Sequence, residues 1–350
     1  MTSKNHRTEK RKSEHIDIVL NQKVTGKGVT TGFEKYRFRH CALPEIDFSE
    51  INLRTSFLGK PLQAPFLISS MTGGTDRARE INKNLATVAE ERGWAMGLGS
   101  VRAAIEQPSA AYTFQLRKYA PTIPILANLG AVQLNYGYGV SECRQAIDLT
   151  EADGLILHLN SLQEVFQPEG DTRFKNLFSR IEDLCSTIEV PVGVKEVGWG
   201  IHGELARRLF ESGVSFVDVA GAGGTSWSQV EKHRSKAKDP IRFQAAEAFT
   251  EWGIPTSECI VEAREKIDGE HTLIASGGMH DGVQGAKAIA LGADLVGYAR
   301  SLLPAAAHPT PEPLRSILER IELECRIAMF GIGAQNLTHL QGTNSIQRVN

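Results

Sequence analysis

The chain has 350 residues, 41% hydrophobic and 23% charged, and a net charge of −2; this is a globular composition, and it gives no reason to expect nucleic acid or an anionic membrane as partner. The five cysteines (Cys41, Cys143, Cys185, Cys259 and Cys325) are scattered without a C-x-x-C pair, which argues against a disulfide framework or structural zinc site and for a reducing cytoplasm. A polar N-terminus and no apolar run of 18 residues argue against a signal peptide and a membrane span.

Residues 1–60 read as an N-terminal extension that opens on a basic stretch: His6, Arg7, Lys10, Arg11, Lys12 and His15. Three readings stand side by side: a solvated tail, an RNA contact, or an arm that closes over an anionic ligand through its arginine forks. The first apolar run, PFLISSMTGG (65–74), is followed by a helical pattern over 75–93, with Ala78, Ile81, Leu85 and Val88 on one face. Further runs follow: WAMGLGSVR (94–102), PILANLG (124–130), GLILHLN (154–160), PVGVKEVG (191–198), FVDVAGAGG (216–224), HTLIASGG (271–278) and LVGYARSL (295–302). Helical patterns recur over 203–212, stopped by Gly213, and over 312–325. Strands buried on both faces and alternating with helices predict a parallel (β/α)8 barrel over 61–310, with 311–350 as a C-terminal helix and tail packed on it. The sixth and seventh runs start 55 residues apart, and the excess, SWSQVEKHRSKAKDPIRF (226–243), reads as a long polar loop on the rim.

In such a barrel the residues at the C-terminal strand ends converge on one rim, where the chemistry sits. Gly277-Gly278 after the seventh run and Ala299-Arg300 after the eighth suit a phosphate site, because small residues let backbone N–H groups approach phosphate oxygens. Lys195, inside the fifth run, is either paired with Glu196 or Asp218 or aimed at an anionic ring over the mouth; Asn128 and Ser100 add uncharged donors. This set suits flavin mononucleotide (FMN), and no G-x-G-x-x-G follows a strand. Period two aims His158 and Asn160 inward, with Gln163 and Glu164 on the loop above. Glu164 is either a solvated glutamate or a Mg²⁺ ligand beside a phosphorylated substrate. Trp227 and Met71 either pack in the core or line an apolar pocket.

These motifs together resemble the type 2 isopentenyl diphosphate isomerases, flavin-dependent barrel enzymes of isoprenoid synthesis. The resemblance runs from RKSEHI (11–16) through ISSMTGG (68–74), GSVR (99–102), LHLNSLQE (157–164), VKEVGWG (194–200), DVAGAGGTSW (218–227), ASGG (275–278) and YAR (298–300) to FGIGAQNLTHL (330–340). It implies substrate contacts at Arg11, Lys12, His15, Ser100, Val101, Arg102, His158, Asn160 and Gln163, with Gln163 beside the reacting end and Glu164 on Mg²⁺. Val101, often Gln in relatives, is expected to act through its backbone. FMN contacts are implied at Ser70, Met71, Thr72, Ser100, Asn128, Lys195, Thr225, Gly277, Gly278, Ala299 and Arg300. The implied activity converts isopentenyl diphosphate to dimethylallyl diphosphate on reduced FMN, with NADPH as reductant, in a homotetramer or homo-octamer. A 2-hydroxy-acid oxidase would need an Arg close to His280 after the seventh run, and ASGGMHDG (275–282) has none. An IMP dehydrogenase-like enzyme would need a cysteine following a strand end. A flavin-binding barrel without enzymatic activity is the remaining class.

Overall fold

The computed structural model describes residues 2–235 and 239–349, with backbone alone for residues 2–10 and 235; the side chains of His6, Arg7 and Lys10 therefore lie outside the described residues. The eight runs form strands β1 (Phe66–Ile68), β2 (Ala95–Gly97), β3 (Ile125–Gly130), β4 (Gly154–His158), β5 (Val192–Lys195), β6 (Phe216–Asp218), β7 (Thr272–Ala275) and β8 (Leu295–Tyr298). Each pairs in parallel with the next, and β8 returns to β1 through Val296↔Phe66 and Tyr298↔Ile68, closing the barrel.

Period two sorts the barrel interior into layers. Leu67, Ala95, Leu126, Ile156, Phe216, Ile274 and Leu295 form one apolar cluster. Two residues further along the same strands stand Ser69, Gly97, Asn128, His158, Asp218, Ser276 and Gly297, a mostly polar layer toward the C-terminal mouth. The apolar layer is sealed from the other end by a hairpin, Thr55–Phe57 with Lys60–Leu62, whose central Leu58 (φ 50°) and Gly59 (φ 74°) have the positive φ values of a tight primed turn. Phe57 and Leu62 join the cluster, and the Phe57 ring meets Phe216 edge-on, centroids 5.2 Å apart. Gly193 makes room for that ring: a Cβ there would lie 2.0 Å from Phe216.

Helix α1 (Thr2–Asn21) crosses the barrel mouth. The basic arm looks too polar to order itself, but Ile16 is 3% exposed and Val19 and Leu20 pack beside it on the core. These three, at i, i+3 and i+4, give the helix an apolar anchor of its own. Helix α2 (Asp76–Arg92) starts where Thr75 accepts the Ala78 N–H (3.1 Å) and stops at left-handed Gly93. Helix α3 (Ser161–Phe166) carries Gln163 and Glu164, so these two are not on a loop as expected. Helix α4 (Gly203–Glu211) ends before Gly213, as the periodicity predicts.

The expected loop 226–243 is mostly helix: α5 (Trp227–Ser235), then α6 (Pro240–Ala248), which is started by the Asp239 cap and by Pro240. The amphipathic signal is missing because α5 buries polar residues, Ser228, Gln229 and Glu231, beside Val230. Helix α7 (Glu312–Phe330) runs a turn further than predicted and packs Leu314, Leu318, Ile321 and Cys325 inward. The two extensions meet in an antiparallel pair, Tyr36–Phe38 with Ile346–Arg348. Among the described residues, no helix is long and apolar enough to cross a membrane.

Candidate active site

The polar layer is the floor of a cavity at the C-terminal mouth, roofed by α1, α3 and α5. Arg11, Lys12, His15, Ser70, Met71, Thr72, Ser100, Arg102, Asn128, His158, Asn160, Gln163, Glu164, Lys195, Thr225, Gly277, Gly278, Ala299 and Arg300 all line it, as do Trp227 and His280. Val101 does not. It is fully buried in the core and its N–H donates to the Asn128 carbonyl (2.8 Å), so the backbone contact expected of it is already used inside the protein.

On the floor, His158 Nδ1 and Asn128 Oδ1 are 2.7 Å apart, and Asn128 Nδ2 donates to Leu98 O (3.0 Å). Burial, with the Lys195 and Arg102 charges behind it, pushes His158 down to about 3, so the ring is neutral at physiological pH. Lys195 forms neither of the ion pairs the strand allowed. Its ammonium donates to the Glu196 carbonyl (2.5 Å), while one Glu196 oxygen accepts N–H bonds from Val197, Gly198, Trp199 and Gly200 (2.7, 2.7, 2.6 and 3.2 Å). Asp218, fully buried, accepts from Ser276 Oγ (2.6 Å).

In the roof, Glu164 is 9% exposed and not the solvated carboxylate of a loop. Its Oε1 accepts from Asn160 Nδ2 and its Oε2 from the Asp171 N–H, both at 2.7 Å. Burial raises its pKa against those bonds. Lys12 donates to Ser100 O (3.2 Å) and lies 5.2 Å from the Phe114 ring centroid; burial first, then the Arg11 charge, brings it down to about 7. Arg11 donates to Gln167 (2.9 Å), and Arg102 pairs with Glu106 and Asp171 (both 2.7 Å). His15 meets Glu231 (2.9 Å) with its ring edge-on to Trp227; Glu231, 1% exposed, is held below the usual carboxylate range, burial being outweighed by His15 and Arg234. Gln133, Gln167, Asp171 and Glu231 escape sequence reading because Gln133 stands alone in an apolar run (129–134) and the other three in ordinary polar stretches. Only PEGD (168–171), a turn-forming run right after LQEVFQ, is a visible local signal.

A flavin fits these walls. Buried Ser69 Oγ, Ser70 Oγ, Asn160 Oδ1 and Arg300 Nη1 all face the cavity with no protein partner among the described residues, an arrangement that calls for a polar ligand. The glycines answer a second demand as well. A Cβ on Gly277 would lie 2.2 Å from Gly221 O, and one on Gly278 would lie 2.5 Å from Thr31 Cγ2, so loop packing alone requires them. Arg300 also comes near enough to His280 to lower its pKa, behind burial, so an arginine absent from the local sequence is supplied by the turn after β8.

Fold and site define the class: an FMN-binding (β/α)8 enzyme. The family model for FMN-dependent dehydrogenases matches residues 4–121 and 156–347. Among solved structures, a mandelate oxidase with an FMN adduct superposes with TM-score 0.66 at 16% identity, covering 99% of both chains. An (S)-mandelate dehydrogenase gives TM-score 0.67 at 16% identity over 98% of each chain, and at such identity these likenesses concern the fold alone. The isopentenyl-diphosphate delta-isomerase of Oceanobacillus iheyensis is 56% identical over 336 residues, 96% of this chain and 95% of the relative. Its counterpart in a Nostoc species is 49% identical over 99% and 98% of the two chains. The chain belongs to the isopentenyl-diphosphate delta-isomerase family and is an isomerase.

Proposed function

We propose that the protein interconverts isopentenyl and dimethylallyl diphosphate on reduced FMN, with Mg²⁺ held between Glu164 and the diphosphate and NADPH as reductant. The observation that carries this reading is the division of one cavity into two polar ends. Arg300 and the small-residue turns after β7 and β8 would take the flavin phosphate; Arg11, Lys12 and Arg102, gathered near Glu164, would take the diphosphate. The homologous isomerases name the substrate of such a cavity.

The reaction adds a proton to the terminal alkene carbon and removes one from the allylic carbon, with no net redox change. Its transition state is carbocation-like, because an unactivated alkene is a very weak base. Reduced FMN supplies an electron-rich surface and an exchangeable proton at N5. The chain's residues position and exclude water. Lys195, Asn128, Thr225, Ser70, Met71 and Thr72, all on the cavity wall, would hold the flavin. His158, neutral, and Gln163, an amide, are hydrogen-bonding groups and not acids at neutral pH. Gln163, 9% exposed and 3.4 Å from Asn160, orients the reacting end or an ordered water. Met71 and Trp227, both on the cavity wall, would border the isoprene unit. Each Glu164 oxygen accepts one hydrogen bond among the described residues, which would leave it a second lone pair for Mg²⁺. Among the described residues no cluster of three or more His, Cys, Asp or Glu could hold a metal alone, so a bound diphosphate would have to complete the coordination.

The test is turnover of isopentenyl diphosphate by the yellow holoenzyme without air. Dithionite or NADPH should start the reaction, and in D₂O deuterium should enter the product. Equal rates with oxidised flavin would replace this mechanism with acid–base isomerisation by side chains.

A further inference from the structure

The loop between α3 and the following helix, Gln167-Pro168-Glu169-Gly170-Asp171, grips three arginines with alternate residues. Gln167 Oε1 accepts from Arg11 (2.9 Å), Glu169 pairs with Arg234 (3.1 Å), and Asp171 pairs with Arg102 (2.7 Å). Asp171 does two further things: its Oδ2 also accepts from Gln133 Nε2 (2.9 Å), and its backbone N–H donates to Glu164 Oε2 (2.7 Å). The backbone is seated on α3 with no clearance, since a Cβ on Gly170 would lie 1.8 Å from the Glu164 carbonyl oxygen.

We infer that this loop is a positioning strap for the diphosphate end of the cavity: the Asp171 carboxylate sets Arg102 and its backbone N–H sets Glu164. The inference rests on the substrate assignment proposed above. Arg102 is held from two sides, Nε by Glu106 and Nη1 by Asp171, and Nη2 between them has no protein acceptor among the described residues. Asp171 is itself fixed from both sides by Gln133 and α3, so it cannot swing away to let Arg102 rearrange. A long side chain ordered before the ligand arrives loses no rotamer freedom on binding. Against this, the carboxylate repels a diphosphate. The two effects have opposite signs, which makes the direction of change informative.

Asp171→Asn keeps the loop's shape and its N–H to Glu164 and removes the negative charge that faces Arg102 and, with it, the repulsion Asp171 exerts on Glu164. Binding of inorganic pyrophosphate with Mg²⁺ to the FMN-loaded protein, followed calorimetrically, should weaken about ten-fold. KM for isopentenyl diphosphate should rise by the same factor and kcat change little, with flavin content and melting temperature unchanged. Gly170→Ala, which displaces the backbone, should additionally raise the Mg²⁺ concentration needed for half-maximal binding. Unchanged or tighter pyrophosphate binding in Asp171→Asn would overturn the strap, the tighter result making Asp171 a competitor for Arg102. Arg102→Ala separates the two levels. If it weakens pyrophosphate binding while Asp171→Asn does not, the strap alone fails. If neither variant matters, the substrate assignment fails with it.

Discussion

Substrate affinity should fall steeply with pH because of Lys12. Its ammonium lies on α1 under the roof of the cavity, and burial, with the Arg11 charge next, brings it from 10.5 to about 7. A bound diphosphate adds counter-charge and restores the ammonium, so the complex holds more protons than the free protein. By linkage, affinity then declines with rising pH, about ten-fold or ~1.4 kcal/mol per unit, from 7 up to the pKa in the complex. Between pH 7.5 and 9.5, where the phosphate is already fully ionised, the loss should be roughly a hundred-fold. Calorimetric titration of the FMN-loaded protein with isopentenyl diphosphate, in buffers of different ionisation enthalpy, should show proton uptake near pH 8. In Lys12→Arg the guanidinium stays charged throughout, and the slope should vanish whatever the absolute affinity. A flat wild-type profile, or a slope that survives in Lys12→Arg, would refute the reasoning.

Three other outcomes test the site and the barrel layer beneath it. Arg300→Ala removes a buried guanidinium nitrogen that has no protein partner among the described residues, so flavin retention after gel filtration should fall about ten-fold or more, with the fold intact by circular dichroism. Glu164 must be ionised to hold Mg²⁺, and its pKa is raised; the Mg²⁺ requirement should therefore climb as pH falls through that raised value, sooner than for an exposed carboxylate. Glu164→Gln should show a high, pH-independent Mg²⁺ requirement and normal flavin binding. Gly193→Ala drives a methyl into the Phe216 ring, and thermal unfolding should show about 1–3 kcal/mol of destabilisation.

The barrel was legible in the sequence because its signals are local. Each strand is a short apolar run, and helices such as α2 carry their own stripe and caps, Thr75 and Gly93. The motifs at the strand ends likewise place most cavity residues on one rim, since strand direction and period two decide where they point. What escaped was whatever depends on a distant partner. The strand allowed Lys195 an ion pair with Glu196 or Asp218, but the Glu196 carboxylate is taken by four backbone N–H groups on the turn that follows. Val101 sits in a substrate motif and yet points into the core, its N–H committed to Asn128 on the next strand. Helix α5 hides its buried face because that face is polar and is satisfied by residues far along the chain: Glu231 meets His15, 216 residues away. Likewise, nothing local in residues 167–171 says that three arginines from α1, α5 and the turn after β2 will converge there. Periodicity and caps are properties of neighbouring residues and survive in one dimension. The pairing of a buried charge is settled only when the closed barrel brings its partner to it.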